Sequence, residues 1–173
     1  MGFFKKFKAI PYKGADAVNL LTAVLPSRLN VDKAFVFQNY TIKDGETPES
    51  LANVLYKDPQ LYWVLLVINS IVNPFTDWPV PDGNFPEFVF LKHGNPDGIH
   101  HYYDNRLERI VDDVSDSEFR AMPQSDVPFY IVPVTNFQYE REINEAKREI
   151  IVVNPRYVNQ FVEIYGRAIE GKQ

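Results

Sequence analysis

The 173-residue chain has no cysteine. That excludes disulfides, thiolate zinc sites and a cysteine nucleophile, and it suits assembly in a reducing cytoplasm. There is no basic excess: 18 Lys and Arg against 23 Asp and Glu leave a net charge of −5. Nucleic acid, which selects a basic surface, is therefore not an expected partner. Nor is there a long hydrophobic run. The longest, residues 61–68, falls far short of the roughly 20 apolar residues that cross a bilayer. The start, Met1-Gly2-Phe3-Phe4-Lys5-Lys6-Phe7, lacks the apolar stretch of a signal peptide, and Lys6 stands where a myristoylation motif has Ser or Thr. A soluble protein with no membrane partner is expected. Internal repeats and low-complexity tracts are missing, as are HExxH, the nucleophile elbow and the Gly-rich phosphate loop.

What is present is a globular composition, 45% hydrophobic and 24% charged, sized for one ordinary domain or a small core with arms. Thirteen Phe, ten Tyr and thirteen Pro point to an interaction protein, because large aromatics are favoured at interfaces and prolines mark extended connections. The chain is organised around residues 40–78. Tyr40-Thr41-Ile42-Lys43 alternates as a strand does, and Asp44-Gly45 supplies a turn. Thr47-Pro48-Glu49 is an N-cap followed by a proline at the first helical position. Leu51, Ala52, Leu55 and Tyr56 then recur at helical spacing. Asp58-Pro59 repeats the cap signal and starts a second helix, to about Ser70, that is apolar on every side and so must be covered all round. Leu51, Leu55, Tyr62, Trp63 and Leu66 are the expected core.

Strand, turn, two short helices, Asn-Pro loop and second strand is an order that resembles the LysM fold. The likeness narrows at Leu55-Tyr56-Lys57-Asp58-Pro59-Gln60-Leu61-Tyr62-Trp63-Val64-Leu65 and at Asn73-Pro74-Phe75-Thr76-Asp77-Trp78-Pro79, two blocks that an ordinary LysM lacks. Both resemble the baseplate wedge subunit of contractile-tailed, T4-like phages that carries a LysM-like segment. The resemblance implies an α+β fold: a LysM-like β-α-α-β core with an N-terminal arm, a β-hairpin and a C-terminal helix–strand–helix. The segments are 1–38 (arm), 39–92 (core), 93–134 (hairpin and irregular loop) and 135–173 (end). It also implies a virion tail protein, assembled in the host cytoplasm, whose partners are other wedge subunits and neighbouring wedges. No cofactor and no small-molecule substrate is expected.

In the arm, Phe3, Phe4 and Phe7 alternate with lysines, and they are expected to dock on a partner. The resemblance also implies a Phe-rich start and a short Pro-Tyr element, matched here by Ile10-Pro11-Tyr12. Phe85–His93 alternates well enough for a strand. Gly94-Asn95-Pro96-Asp97-Gly98 is a turn cluster and Ile99–Tyr103 returns, so 87–103 reads as a hairpin whose first arm also serves as a candidate second LysM strand. Thr135 caps a helix from Asn136 to about Lys147, and Ile150–Val153 is a β-branched strand. Asn154-Pro155 starts a final helix with the stripe Tyr157, Val158, Phe161, Val162, Tyr165 and Ile169. From that stripe Tyr157, Phe161 and Tyr165 are expected to meet a partner.

Chemistry is sparse. His93, His100, His101 and Asp104 form the one histidine cluster, but adjacent residues of a strand point to opposite faces, so no shared metal is expected. The acidic run Val111–Glu118 lacks the glycine and spacing of an EF-hand. Glu46, Glu49 and Asp77 could be arranged as a muralytic carboxylate set, yet acidic residues in a first helical turn are stabilised by the helix dipole alone. No enzyme is expected. The alternative is glycan binding. By the LysM resemblance, the groove would be lined by Asp44, Gly45, Glu46 and Thr47 on one loop, and by Asn73, Phe75, Asp77 and Trp78 on the other.

Overall fold

The computed structural model describes residues 9–12, 15–18, 36–111, 119, 121, 128 and 130–170. Phe3, Phe4, Phe7 and the acidic residues 112–118 lie outside them. Near the N-terminus β1 (Ala9–Tyr12) and β2 (Ala15–Val18) pair antiparallel. The chain then divides by packing into unit 1, Met1–Trp78 with Arg148–Gln173, and unit 2, Pro79–Lys147. The division runs through the 39–92 segment at Trp78.

In unit 1, β3 (Phe37–Thr41) leads to helix α1 (Pro48–Tyr56), a 3₁₀ turn (Pro59–Leu61), helix α2 (Tyr62–Ile68) and the single-turn α3 (Pro74–Asp77). Thr47 caps α1 as read from the sequence, with Ser50 closing a capping box. Asp58 accepts from the Gln60 amide at 2.8 Å. The all-round apolar α2 is covered on two sides. Trp63 and Val64 face Val36, Val153, Phe161, Tyr165 and Ile169, while Leu65 joins Ile42, Leu51, Ala52, Trp78, Ile150 and Val152. Leu55, Tyr62 and Leu66 pack half-buried around the second cluster.

The strand partner of β3 comes from far along the chain. With unit 2's strands numbered β4 to β6, it is β7 (Glu149–Val153), antiparallel, Phe37 opposite Val153 and Thr41 opposite Glu149. The outer edge of β7 is closed by side chains. Asn69 donates to the Ile151 carbonyl and accepts from its amide, both at 2.8 Å, and the Tyr56 hydroxyl accepts from the Val153 amide at 3.1 Å. Burial pushes the Tyr56 phenol up to about 12, although the bond from Val153 pulls the other way.

Unit 2 corrects the expected hairpin. Phe85–His93 is helix α4, not a strand, so it cannot be the second strand beside β3. Pro86 and Glu87 in its first turn, Lys92 and His93 in its last, and Gly94 at φ 73° just beyond it are helix start and stop signals. Four consecutive apolar residues, Phe88 to Leu91, hide that period. Strand β4 (Ile99–Asp104) instead pairs with β5 (Arg109–Val111) and β6 (Ile131–Thr135), giving the order β5-β4-β6. Asp104, buried, accepts from the amides of Arg106 and Leu107 at 2.8 and 3.0 Å and holds the β4–β5 turn. The β4–β6 register slips between Ile99 and His101, a bulge at His100 that breaks the alternation expected of the two histidines. Helix α5 (Asn136–Ala146) starts on a Thr135–Gln138 capping box and packs Phe137 edge-on to Phe85 at 5.2 Å. Asn144, buried on α5, clamps the Val80 backbone, accepting from its amide at 2.7 Å and donating to its carbonyl at 2.9 Å.

After β7 the last helix, α6, runs Val158–Ile169. It starts three residues later than the Asn-Pro signal indicates, because Asn154 accepts from the Arg156 amide at 3.1 Å and makes a separate turn. Two substitutions test this packing. Trp63→Ala is expected to lower the unfolding free energy of unit 1 by about 3–5 kcal/mol, read by circular dichroism in denaturant; an unchanged midpoint rejects the core assignment. Asn69→Ala is expected to cost about 0.5–1.5 kcal/mol by removing the side chain that pairs the exposed Ile151 backbone and to speed hydrogen exchange at the Ile151 amide.

Candidate interaction surface

The two loops expected to form the groove do come together, in unit 1. Helix α2 ends with Ser70 at φ 56°, its amide bonded to Val67 and that of Ile71 to Leu66 at 3.2 and 2.9 Å, the paired bonds of a Schellman end. Asn73 then caps Pro74–Asp77 by accepting from the Phe75 amide at 3.1 Å. The Asp77 carboxylate accepts from the amides of Val72 and Asn73 at 3.3 and 3.0 Å and from the Thr76 hydroxyl at 2.9 Å. From this frame the Trp78 indole donates to the Glu46 carbonyl at 2.7 Å, which fixes the second loop against the first.

The second loop is equally self-contained. Gly45, at φ 73°, makes the turn that lets Glu46 reach back, its carboxylate accepting from the Lys43 amide at 2.8 Å and the Tyr40 hydroxyl at 3.0 Å. Burial, then this carboxylate, raise the Tyr40 pKa. Thr47 is occupied as a cap, and Asp44 lies 3.6 Å from Arg148. Trp78 is 7% exposed and belongs to the core with Leu51 and Leu65, so its ring offers no sugar-stacking face. What the frame does present is apolar: Phe75 is 94% exposed and Val72 is 91% exposed. Val72 escapes sequence reading because it stands alone between an inward Ile71 and a capping Asn73, with no periodicity to mark it.

The other expected contact residues fall elsewhere. Phe161 and Tyr165 are buried in unit 1 itself; Tyr165 lies 5.4 Å from Trp63 and Phe161 6.4 Å from Phe37. That corrects their expected role as partner contacts: the stripe of α6 covers its own core, and Tyr157 packs half-buried beside it. Among the described residues no group of three or more His, Cys, Asp or Glu is placed to hold a metal ion, and no helix is long and apolar enough to cross a membrane.

The family model described as base plate wedge protein 53 matches residues 27–124, more than half of the 173 residues. The matched span contains both loops, the Phe75 tip and the two sequence blocks around them. Among curated proteins the chain is similar to the baseplate wedge protein gp53 of Enterobacteria phage T4. The two are 28% identical over 145 residues, covering 77% of this chain and 74% of the relative. The chain belongs to the base plate wedge protein 53 family.

Proposed function

We propose that this protein is a structural joint of the phage tail baseplate, not an enzyme, and that it connects neighbouring wedge proteins and one wedge to the next. The observation that carries the reading is the loop at 71–78: its polar side chains are consumed in holding its own shape, and Val72 and Phe75 are left almost fully exposed. A rigid loop with apolar tips suits docking into an apolar pocket, because little ordering entropy remains to be lost on binding. The Phe3, Phe4 and Phe7 segment is a second contact, in keeping with its composition. In this reading β3, α1, α2 and β7 are a LysM-like β-α-α-β unit, supported by their order and the antiparallel β3–β7 pair. Residues 79–147 are inserted before its second strand.

Glycan binding is the competing use of the same loops. The inward turn of Glu46, Thr47, Asn73 and Asp77 and the burial of Trp78 favour the scaffold use. Calorimetric titration with chitin and peptidoglycan oligosaccharides is expected to give no saturable heat at millimolar sugar. Micromolar binding lost in Phe75→Ala would instead identify a cell-wall anchor. For the joint itself, Val72→Ser with Phe75→Ser is expected to leave the melting curve unchanged and to weaken co-assembly with co-expressed wedge proteins by about 10- to 30-fold, the effect of removing an interface anchor. Undiminished co-assembly removes the loop from the interface. Deleting residues 1–8 is expected to have the same pattern: an intact fold and weaker assembly.

A further inference from the structure

All three histidines of the chain meet in unit 2, around one buried carboxylate. Glu140 on α5 has a side chain only 2% exposed, with Lys92 Nζ and His93 Nε2 of α4 each 2.8 Å from its Oε1. From β4, the His100 ring stacks on Tyr139 of α5 at 3.8 Å and 14°. The bulge turns His101 to the same side, so that the two Nδ1 atoms stand 2.9 Å apart. His101 is edge-on to the same tyrosine at 5.8 Å, and His93 is 6.0 Å from His100. Of the two strands beside β4, β6 has no titratable side chain between Ile131 and Thr135, and β5 pairs only with Tyr102–Asp104, beyond the two histidines. The groups that face the pair are therefore Lys92, His93, Tyr139 and Glu140.

We infer that the His100–His101 pair is a proton-operated latch that holds β4 on α5 at neutral pH and releases it when both rings are protonated. Two imidazoles whose Nδ1 atoms face each other at hydrogen-bond distance need one proton between them. With both neutral, one ring donates an N–H and the other accepts it; with one charged, the bond is stronger. With both charged, two N–H groups confront each other and the contact must open. A second proton in this contact is therefore resisted. Both rings rest on Tyr139 of α5, His100 stacked at 3.8 Å and His101 edge-on at 5.8 Å, so parting them loosens one of these strand–helix contacts.

The surrounding charges reinforce the effect on one side only. With neutral histidines, Lys92 alone balances Glu140. Charging the His100–His101 pair adds two cations to the one that Lys92 already supplies beside this carboxylate. Lys92 stays paired with Glu140 at 2.8 Å throughout, so the α4–α5 contact holds while the β4–α5 contact lets go. Partial burial, then His101 and His93, hold His100 below its ordinary value of 6.5. Burial alone would raise Glu140, but the bonds from Lys92 and His93 outweigh it and keep the carboxyl below 4.5. Both groups have folded pKa values below their unfolded ones. Each contribution is complete above the unfolded value and is lost as pH falls. The histidine step comes first, below 6.5, and the carboxylate step follows below 4.5.

The test is peptide-resolved hydrogen exchange of the full chain at pH 7.5 and 5.5, corrected for the intrinsic rate. Peptides over residues 98–104 and 131–135 are expected to lose about tenfold in protection at the lower pH, with those over 85–93 and 149–153 unchanged. In His100→Gln, and independently in His101→Gln, the loss is expected to shrink to under twofold. Equal protection at both pH values in the native chain overturns the inference, as does an undiminished loss in both variants. A uniform loss across both units also overturns it, since that is global acid unfolding.

Discussion

The pairing of β3 with β7 is the constraint on which unit 1 depends. It joins Phe37–Thr41 to Glu149–Val153, and without it the two apolar clusters that flank α2 are each incomplete. Val153, Val158 and Phe161 close one, and Ile150 and Val152 close the other. All five come from the returning segment. The helices that follow β3 have caps and apolar faces of their own, but nine and seven residues are too few to be stable alone in water. Their order is supplied by the strand that arrives last.

That arrival has a cost, since closing a flexible loop of on the order of 70 residues takes roughly 4 kcal/mol beyond a constant. Unit 2 reduces it by folding. Asn144 holds the backbone of Val80 through two bonds of 2.7 and 2.9 Å, and these residues lie close to the two ends of the insertion. Arg141 adds a contact to Asp82 at 3.5 Å and lies over the Phe85 ring at 4.9 Å. With its ends held together, the insertion counts as a short connection, and β7 finds β3 over a small effective loop. The capping box at Thr135 and the clamp at Asn144 belong to the same helix, which couples the formation of α5 to the closure.

Local signals were legible in the sequence, and long-range ones were not. The Thr47, Asp58 and Thr135 caps, the all-apolar α2 and the helix–strand–helix end all follow from spacing within a dozen residues. The partner of β3 does not, because strand pairing depends on segments more than a hundred residues apart and neither carries a mark of the other. Phe85–His93 reads as a strand only when periodicity is taken from Phe88 to Leu91; its terminal residues identify a helix. The histidine pair is hidden for a different reason: the bulge is set by the register against β6, Ile131–Thr135, and it brings His100 and His101 to the same side. In the 71–78 loop, Phe75 and Trp78 look alike in the sequence as exposed aromatic candidates. The burial of Trp78 and its bond to Glu46 separate the one that builds the frame from Phe75, the one that projects.

That separation bears on how such a loop recognises anything. A polar loop whose donors and acceptors are free can be matched by water, sugar or protein alike. Here the carboxylates of Glu46 and Asp77 and the side chains of Thr47 and Asn73 are bonded to the loops' own backbone, so few directional groups remain for a ligand. Apolar area is what is left to bury, and its burial is favourable against any surface of complementary shape. In the proposed joint, selectivity would rest on shape and on the fixed spacing of Val72 and Phe75, both of which require a stiff support. The frame of internal hydrogen bonds provides that stiffness, and Trp78 passes it to the core beneath. A loop built in this way suits a permanent contact inside an assembly better than reversible capture of a soluble ligand.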